Sequence, residues 1–262
     1  MKQDGKDLRE NSNCLTSRRA SFFHEMHHFD FLGETVVSDL KAGASLGRTP
    51  HVRIWSAACS TGEEPYSIAI QLLEALRDAP DSAPENYQPQ GWLIEVVASD
   101  IDTEVLATGA ERIYSEQSLA EVPPAVLKRY FLRGKGDMAG RVRVKQGLAD
   151  LVHFQQVNLK DSNWTVEGRF DVIFFRNALV YFDPETQELI LRKMLRYLEP
   201  HGYLILGQSE HVTWLRDAAL PIGNAIHQLR PHGMAEYTGD ERRTNARDVS
   251  APEESDPAKE SA

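Results

Sequence analysis

Strand-like apolar runs alternate with amphipathic helical patterns along most of the chain, and this alternation limits the fold more than any other feature. The run LIEVVAS at 93–99 is almost wholly apolar, as a strand buried on both faces should be. The alternation predicts an α/β fold with a doubly wound, mostly parallel sheet and ligands at the carboxyl ends of its strands. The expected strands are 52–57, 93–99, 152–157, 170–175, 203–208 and, as a final edge strand, 224–229.

Two helical patterns are clear between these runs. The segment PYSIAIQLLEALRD follows the first run and places its apolar residues on one stripe, formed by Ile68, Leu72, Leu73 and Leu76. The segment TQELILRKMLRYLEPHG predicts a helix that ends in Lys and Arg. Pro200 and Gly202 are the predicted stop signals for this helix. Helices at these positions can cover the faces of a parallel sheet.

The alternation pauses between about 126 and 154. Two β-rich pieces, Arg129–Leu132 and Arg141–Lys145, flank a glycine-rich turn from Gly134 to Gly140. This arrangement predicts a small antiparallel β-subdomain inserted into the main domain.

The two ends of the chain differ in composition from the middle. Residues 1–20 and 232–262 are polar and charged, and such segments do not bury enough apolar surface to offset the entropy of ordering. We therefore expect disorder at both ends of one domain at 21–231. The polar N-terminus has no apolar core of a secretory signal, and no run is long enough to span a bilayer, which predicts a cytoplasmic, soluble protein.

The charge and cysteine content exclude several classes of site. Lys plus Arg total 29 against 39 for Asp plus Glu, a formal net charge of -10 that disfavours nucleic acid and anionic membranes. Cys14 and Cys59 are the two cysteines, without the paired spacing of a zinc site. His24, His27 and His28 also lack such spacing, so we expect no metal. The histidine segment is better explained by a helix that packs apolar side chains on the sheet, namely Phe22, Phe29 and Leu32.

The loop SAACSTGEEP after the first strand is the first candidate site. It is rich in small residues but lacks G-x-G-x-x-G and G-K-[ST], which disfavours binding of a pyrophosphate or triphosphate. Glu63 and Glu64 suit a cation, hydroxyl or amine better than a phosphate. Alternatively, Thr61 and Glu64 form a capping box at S/T-x-x-E spacing. Only Gly62 accepts a positive φ without strain.

Polar residues also follow the next strands. Asp100 comes directly after a strand and can accept hydrogen bonds from ribose hydroxyls, whereas Asp102 is placed to cap the following helix. Asn158 and the Leu159 backbone can offer amide groups to an adenine edge, although asparagine at a strand end is also ordinary turn chemistry.

The strand FDVIFF at 170–175 is followed by another polar cluster. Arg176 and Asn177 come first, and Tyr181 lies four residues beyond Asn177, about one helical turn. We expect this cluster to face the same mouth as Glu64. The alternative is that Tyr181 and Phe182 pack beneath the sheet, which fits Phe182 better.

The motifs IWSAACSTGEEPYSIAI, ASDID, FDVIFFRNALVYFD and GYLILGQSE together resemble the CheR-type chemotaxis receptor methyltransferases, from about residue 15 to about 230. The resemblance implies a class I S-adenosylmethionine-dependent methyltransferase fold. It also implies protein-glutamate O-methylation of the cytoplasmic domains of receptors, with S-adenosylhomocysteine as product. We expect a monomer that neither binds nucleic acid nor inserts into a membrane. The β-subdomain turn from Gly134 to Gly140 resembles that of members that dock a receptor's C-terminal pentapeptide.

The resemblance also assigns roles to residues. Glu64 corresponds to the residue at the cofactor's amino-acid end, Asp100 to the one at the ribose, and Tyr181 to the one near the methyl group. The adenine region would be lined by Asn158 and Leu159, and the methionine side by Phe175, Arg176 and Asn177.

The segment before the first strand departs from the family pattern. The family's TNLTxFFRE appears here as SRRASFFHE, which puts Arg18, Ala20 and His24 at positions that normally contact the cofactor or flank the methyl group. His24 would partly replace an arginine when protonated. Members carry a helical domain before this segment, whereas about twenty polar residues precede it here, so we expect a member that lacks that domain or whose start is assigned too late.

The chemistry needs little from the protein beyond binding and orientation. A glutamate side chain is already ionised near neutral pH, so methyl transfer to it needs no strong general base and no metal. The alternative function is a methyltransferase-fold module that binds receptor or cofactor without efficient turnover. A nucleic-acid methyltransferase is disfavoured by the net charge and by RNALVYF, because base N-methylation favours an Asn/Asp-Pro-Pro-aromatic loop there.

Overall fold

The computed structural model describes residues 21–77, 87, 89 and 91–230 of the chain. The predicted disordered ends at 1–20 and 232–262, and with them Arg18 and Ala20, lie outside the described residues.

The described residues contain ten strands, which form two sheets. The strands are β1 (His51–Ala57), β2 (Leu93–Asp100), β3 (Ile113–Ser115), β4 (Phe131–Arg133), β5 (Arg141–Val144), β6 (Val152–Gln156), β7 (Phe170–Phe175), β8 (Leu198–Leu206), β9 (Ala219–Gly223) and β10 (Ile226–Leu229). The main sheet has the order β6-β2-β1-β7-β8-β10-β9, and the small sheet has the order β3-β5-β4. The first five strands of the main sheet are parallel, and β10 is antiparallel to both of its neighbours. The predicted doubly wound, mostly parallel sheet is confirmed.

In the described part of the chain, seven α-helices connect these strands or precede them. They are α1 (Met26–Phe31), α2 (Val37–Ser45), α3 (Glu63–Leu76), α4 (Thr103–Glu111), α5 (Pro124–Tyr130), α6 (Gln146–Ala149) and α7 (Pro184–Leu195). One π-helical turn, Leu32–Val36, joins α1 to α2. No helix among the described residues is both long enough and apolar enough to cross a bilayer.

The main sheet is buried on both faces because helices cover each side. On β1, Ile54 belongs to one apolar cluster and Trp55 to the other, as expected from the alternation of side chains along a strand. The predicted stripe of α3 packs in the first cluster, where burial of each side chain contributes roughly 1.5–3 kcal/mol. Phe22, Phe29 and Leu32 are buried in the same cluster, which confirms the predicted packing of the histidine segment.

Two predictions about the end of the sheet are wrong. Helix α7 ends at Leu195, and the predicted stop signals Pro200 and Gly202 lie inside β8, which begins at Leu198. The pairing of β8 with β7 shifts at this point, and the irregularity accommodates a proline within a strand. The run at 224–229 supplies β10, which is not an edge strand because β9 pairs with its outer side.

The predicted antiparallel insertion is confirmed, with one more strand than expected. β4 and β5 pair around the turn from Gly134 to Gly140, and β3 pairs with the other side of β5. Arg129 and Tyr130 end helix α5 instead of starting a strand. Apolar side chains on the inner face of this small sheet join the first cluster of the main domain, including Tyr114, Phe131, Val142 and Val144.

Candidate functional site

The register of the main sheet brings three predicted site residues to one edge. Ala57 at the end of β1 pairs with Ser99, one residue before Asp100, and β7 lies on the other side of β1. The chain segments that carry Glu64, Asp100 and Arg176 therefore leave the sheet at its carboxyl edge, where parallel α/β sheets bind ligands.

The loop after β1 has an unusual backbone. Ala58 and Ser60 have φ of 59° and 51°, and Gly62 has φ of 94°. Gly62 accepts this conformation without strain, whereas Ala58 and Ser60 adopt it although they carry side chains. Such conformations cost about 1–3 kcal/mol each and persist only where surrounding contacts impose them, most often at functional sites.

Glu64 faces this loop from the first turn of α3. Its Oε1 accepts a hydrogen bond from Ser56 Oγ at 2.7 Å, and its Oε2 lies 3.3 Å from Arg176 Nη1. Burial raises the pKa of Glu64, and the positive charge of Arg176 and the hydrogen bond from Ser56 oppose that rise. The alternative capping box is wrong: Thr61 Oγ1 donates to Glu63 Oε2 instead, and Gly62 occupies the N-cap position.

Arg176 is the centre of a buried charge network. Its Nη2 donates to the His24 carbonyl at 2.7 Å, and lies 3.2 Å from His24 Nδ1 and 3.1 Å from Glu25 Oε2. Together with Glu64, these contacts join the segment before α1 to the loops after β1 and β7. The His24 side chain is exposed, so its imidazole borders the network from the solvent side.

Asp100 and Asp102 make different contacts in the segment after β2. Asp102 caps α4 by accepting from the Glu104 N–H at 2.8 Å, which confirms the predicted cap. Asp100 accepts from the Ser60 N–H and the Asp102 N–H, each at 3.0 Å. Burial raises the pKa of Asp100, and these backbone hydrogen bonds oppose the rise. The carboxylate therefore both fixes the loop after β1 and remains at the edge of the sheet.

Asn158 and Leu159 lie in the turn after β6. The Asn158 side chain donates to Asp161 Oδ1 and accepts from the Lys160 N–H, the turn chemistry considered as its alternative role. Leu159 is half-buried against the second apolar cluster. Among the described residues, neither side chain forms a hydrogen bond with Glu64 or Arg176. The turn after β6 is therefore a part of the edge separate from the Glu64–Arg176 pair.

The last residue of β7 and the residues after it differ in exposure. The Phe175 ring is fully buried in the second cluster, which leaves its backbone to face the edge. Asn177 has φ of 57° and is exposed. Tyr181 ends a 3-10 turn, Leu179–Tyr181, with 46% of its surface exposed, whereas Phe182 is half-buried against the second cluster. Tyr181 therefore does not pack beneath the sheet.

Two acidic residues of the site were missed by the sequence analysis. Glu25 neutralises Arg176, and Glu210 accepts from the backbone N–H groups of Asn177, Leu179 and Gly207. The position of Glu210 shortly after β8 is the same signal that pointed to Asp100. Glu25 lies next to His24 in FFHE, but its contact with Arg176 joins distant parts of the chain and has no local sequence pattern.

One histidine of the segment before β1 belongs to the protein interior. His28 is fully buried, and its Nε2 lies 2.7 Å from the Asn224 carbonyl oxygen. Burial lowers the pKa of His28 to about 4. Within 21–77 and 91–230, no group of three or more His, Cys, Asp or Glu residues is arranged to hold a metal ion.

A family model described as "CheR methyltransferase, SAM binding domain" matches residues 18–222. The chain belongs to this family. The expected S-adenosylmethionine-dependent methyltransferase fold and the expected cofactor are thereby confirmed.

Curated relatives match over most of the chain. Chemotaxis protein methyltransferase 2 of Pseudomonas aeruginosa is 40% identical over 215 residues, which cover 82% of this chain and 71% of the relative. The chemotaxis protein methyltransferase of Escherichia coli is 42% identical, with 83% and 69% covered. That of Salmonella typhimurium is 46% identical, with 77% and 63% covered.

The residues at the edge fit S-adenosylmethionine. Glu25, Glu64 and Asp100 supply three carboxylates against the single guanidinium of Arg176, so these four groups leave an excess of negative charge when ionised. This excess suits a ligand that carries an ammonium and a sulfonium. The small side chains of the loop after β1 let such a ligand approach the backbone closely.

Proposed function

We propose that this CheR-family chain is a protein-glutamate O-methyltransferase that acts on the cytoplasmic domains of chemotaxis receptors. The observation that supports it best is the Glu64–Arg176 pair at the carboxyl edge, beside a strained loop of small residues. The curated relatives that are 40–46% identical are named chemotaxis protein methyltransferases, which supports a receptor as the substrate.

In this proposal each wall of the site binds one part of the cofactor. Glu64 binds the amino-acid end, and the Arg176 guanidinium opposes the rise in the pKa of Glu64 that burial causes. Asp100 accepts hydrogen bonds from the ribose through lone pairs that Ser60 and Asp102 leave free. The Asn158–Leu159 turn borders the adenine, and the backbone of Phe175 and Asn177 borders the methionine side.

The bound cofactor supplies an electrophilic methyl group for transfer to a carboxylate oxygen. The protein residues hold the acceptor glutamate in line and exclude water. Tyr181 and His24 are both exposed, Tyr181 in the segment after β7 and His24 against Arg176, and we assign them to orientation of that acceptor. The acceptor carboxylate, with an ordinary pKa of about 4.3, needs no base near neutral pH.

The small sheet is the proposed docking surface for a receptor's C-terminal pentapeptide. β4 is one of its edge strands, and an edge strand can pair with an extended peptide. Its outer surface carries exposed basic side chains on β5, Arg141 and Arg143, in a chain with net charge -10. We propose that the protein is a monomer and that it binds this pentapeptide through the turn from Gly134 to Gly140.

The test is methyl transfer from labelled S-adenosylmethionine to purified cytoplasmic fragments of a chemotaxis receptor. We expect incorporation that mild alkali releases as methanol, the behaviour of a methyl ester, and none into a fragment whose glutamates are replaced by glutamine. Calorimetry with S-adenosylhomocysteine accompanies the assay. Binding without transfer would support the alternative of a binding module, and absence of binding would overturn the site itself.

A further inference from the structure

Thr61 carries a carbonyl group that helix α3 does not satisfy. The helix begins at Glu63, and the residue four positions after Thr61 is Pro65, which has no N–H to donate. The Tyr114 hydroxyl supplies the donor, at 2.9 Å from the Thr61 carbonyl oxygen. Tyr114 lies in β3 of the small sheet, so this hydrogen bond fastens the loop after β1 to a different sheet.

Tyr114 is buried and closely packed in this position. It is 5% exposed, and its ring packs edge-to-face on Phe22 with the centroids 5.1 Å apart. A methyl group added to Gly62 would lie 2.9 Å from the Tyr114 hydroxyl oxygen, which shows that the loop and the phenol are in direct contact. Burial raises the pKa of Tyr114 well above its usual range, so the hydroxyl keeps its proton and remains a donor.

The loop needs such restraint because of its backbone conformation. Ala58, Ser60 and Gly62 all have positive φ, and strained conformations persist only where several contacts impose them. On the side of β2, the Cys59 N–H donates to the Ser99 carbonyl at 2.9 Å and the Ser60 N–H donates to Asp100. Tyr114 adds a restraint from the small sheet.

We infer that Tyr114 is a positioning residue for the cofactor site, whose hydroxyl holds loop 58–62 in the conformation that presents Glu64 and Asp100 together. The inference rests on the proposed cofactor function of this edge. Without the hydroxyl, a smaller fraction of molecules has the loop in the competent conformation, and the apparent dissociation constant rises by the inverse of that fraction.

Tyr66 offers a matched control. It is buried in the same aromatic cluster, with its ring 6.2 Å from that of Tyr114, and its hydroxyl donates to the Gly109 carbonyl at 2.9 Å. Gly109 belongs to α4 and not to the loop. Tyr114→Phe and Tyr66→Phe therefore each remove one buried hydroxyl and one hydrogen bond to a carbonyl, but only Tyr114→Phe releases the loop.

The experiment measures S-adenosylhomocysteine binding by calorimetry for the wild-type chain and both variants, with thermal unfolding alongside. We expect the dissociation constant to rise about fivefold in Tyr114→Phe and less than about twofold in Tyr66→Phe, with similar losses in melting temperature. Hydrogen exchange of the Cys59 and Ser60 amides should accelerate only in Tyr114→Phe. In methyl-transfer assays of Tyr114→Phe, the KM for S-adenosylmethionine should rise while kcat stays at the wild-type value.

The outcomes separate the inference from the proposed function. If the wild-type protein binds and the two variants have equal dissociation constants and equal exchange in the loop, the positioning role of Tyr114 is overturned and the cofactor site stands. If the wild-type protein does not bind, the proposed function is overturned, and the inference with it. Should Tyr114→Phe be too unstable for calorimetry, loop exchange in its folded fraction decides, since equal rates in the two variants contradict the inference.

Discussion

Arg176 and Glu64 form an ion pair at the carboxyl edge of the main sheet, with Nη1 3.3 Å from Oε2. The same guanidinium lies 3.1 Å from Glu25, so two carboxylates from different segments share one buried cation. This network joins the segment before α1 to the loops after β1 and β7. Its loss would affect both the stability of the fold and the charge of the site.

Replacement of Arg176 tests the network. In Arg176→Met, Glu25 and Glu64 lose their common partner, and because the Arg176 side chain is 3% exposed we expect a loss of about 3 kcal/mol in the free energy of unfolding. Urea denaturation measures it. Arg133→Met is the control, since the Arg133–Glu116 pair is 3.7 Å long and its arginine is 75% exposed, and we expect a change within about 0.5 kcal/mol. Equal losses in the two variants would contradict a special role for Arg176.

Replacement of Asp100 separates ligand binding from helix capping. Asp100→Asn turns one acceptor oxygen into an NH2 group that faces the Ser60 or Asp102 N–H, so we expect S-adenosylhomocysteine binding to weaken by at least about tenfold. Asp102→Asn is the matched control, because asparagine caps a helix about as well as aspartate. Calorimetry compares the two, and full binding by Asp100→Asn would exclude the ribose role.

The strands of the main sheet were predictable where apolar runs were long enough to show their pattern. The observed bounds of β1, β2, β6 and β7 lie within one residue of those expected. β3 has three residues, too few for any periodicity, and β9 contains a proline that argues against a strand.

The site was predictable to the extent that it depends on strand ends. Glu64, Asp100 and Arg176 each follow a predicted strand, and parallel strands bring their ends together. Glu25 reaches Arg176 only through tertiary packing, which no local pattern encodes. The positive φ of Ala58 was also unpredictable, because alanine is rare in that conformation. It adopts it here because tertiary contacts of the folded protein impose it.

The buried His28 predicts a loss of stability in acid. Its pKa is lowered to about 4 by burial, against 6.5 for an unperturbed histidine, so below pH 6.5 the unfolded chain takes up a proton that the folded protein does not. Stability should therefore fall as the pH drops from 6.5 toward 4, by about 2 kcal/mol at pH 5. Glu25, Arg176 and His27 are the ionisable groups around it.

Urea denaturation at pH 7.5 and pH 5 measures this contribution of His28. His28→Gln keeps an N–H donor for the Asn224 carbonyl but does not titrate. We expect its loss of stability between the two pH values to be smaller than that of the wild-type protein by about 2 kcal/mol. The same loss in both proteins would contradict the prediction.

Replacement of Gly62 tests how tightly the loop after β1 is packed. In Gly62→Ala the added Cβ would lie 3.1 Å from the Gly109 backbone, in addition to the cost of φ at 94°. We expect a loss of at least about 2 kcal/mol in the free energy of unfolding. Gly140→Ala isolates the backbone cost, because Gly140 has φ of 79° and open space around it, and we expect a loss of about 1 kcal/mol. Thermal unfolding compares them, and equal losses would mean that the close contacts of the added Cβ with Gly109 and the Tyr114 hydroxyl do not matter.

Tyr181 is the side chain whose role depends most directly on methyl transfer. Its 46% exposure leaves the hydroxyl free to reach an acceptor, so Tyr181→Phe should leave folding and S-adenosylhomocysteine binding unchanged. If the hydroxyl orients the acceptor glutamate, kcat should fall by at least about tenfold. Tyr197→Phe is the control, because Tyr197 packs on Trp164 just before β8, at the amino edge of the sheet. An unchanged kcat in Tyr181→Phe would remove its hydroxyl from the transfer step and leave His24 as the exposed side chain assigned to that role.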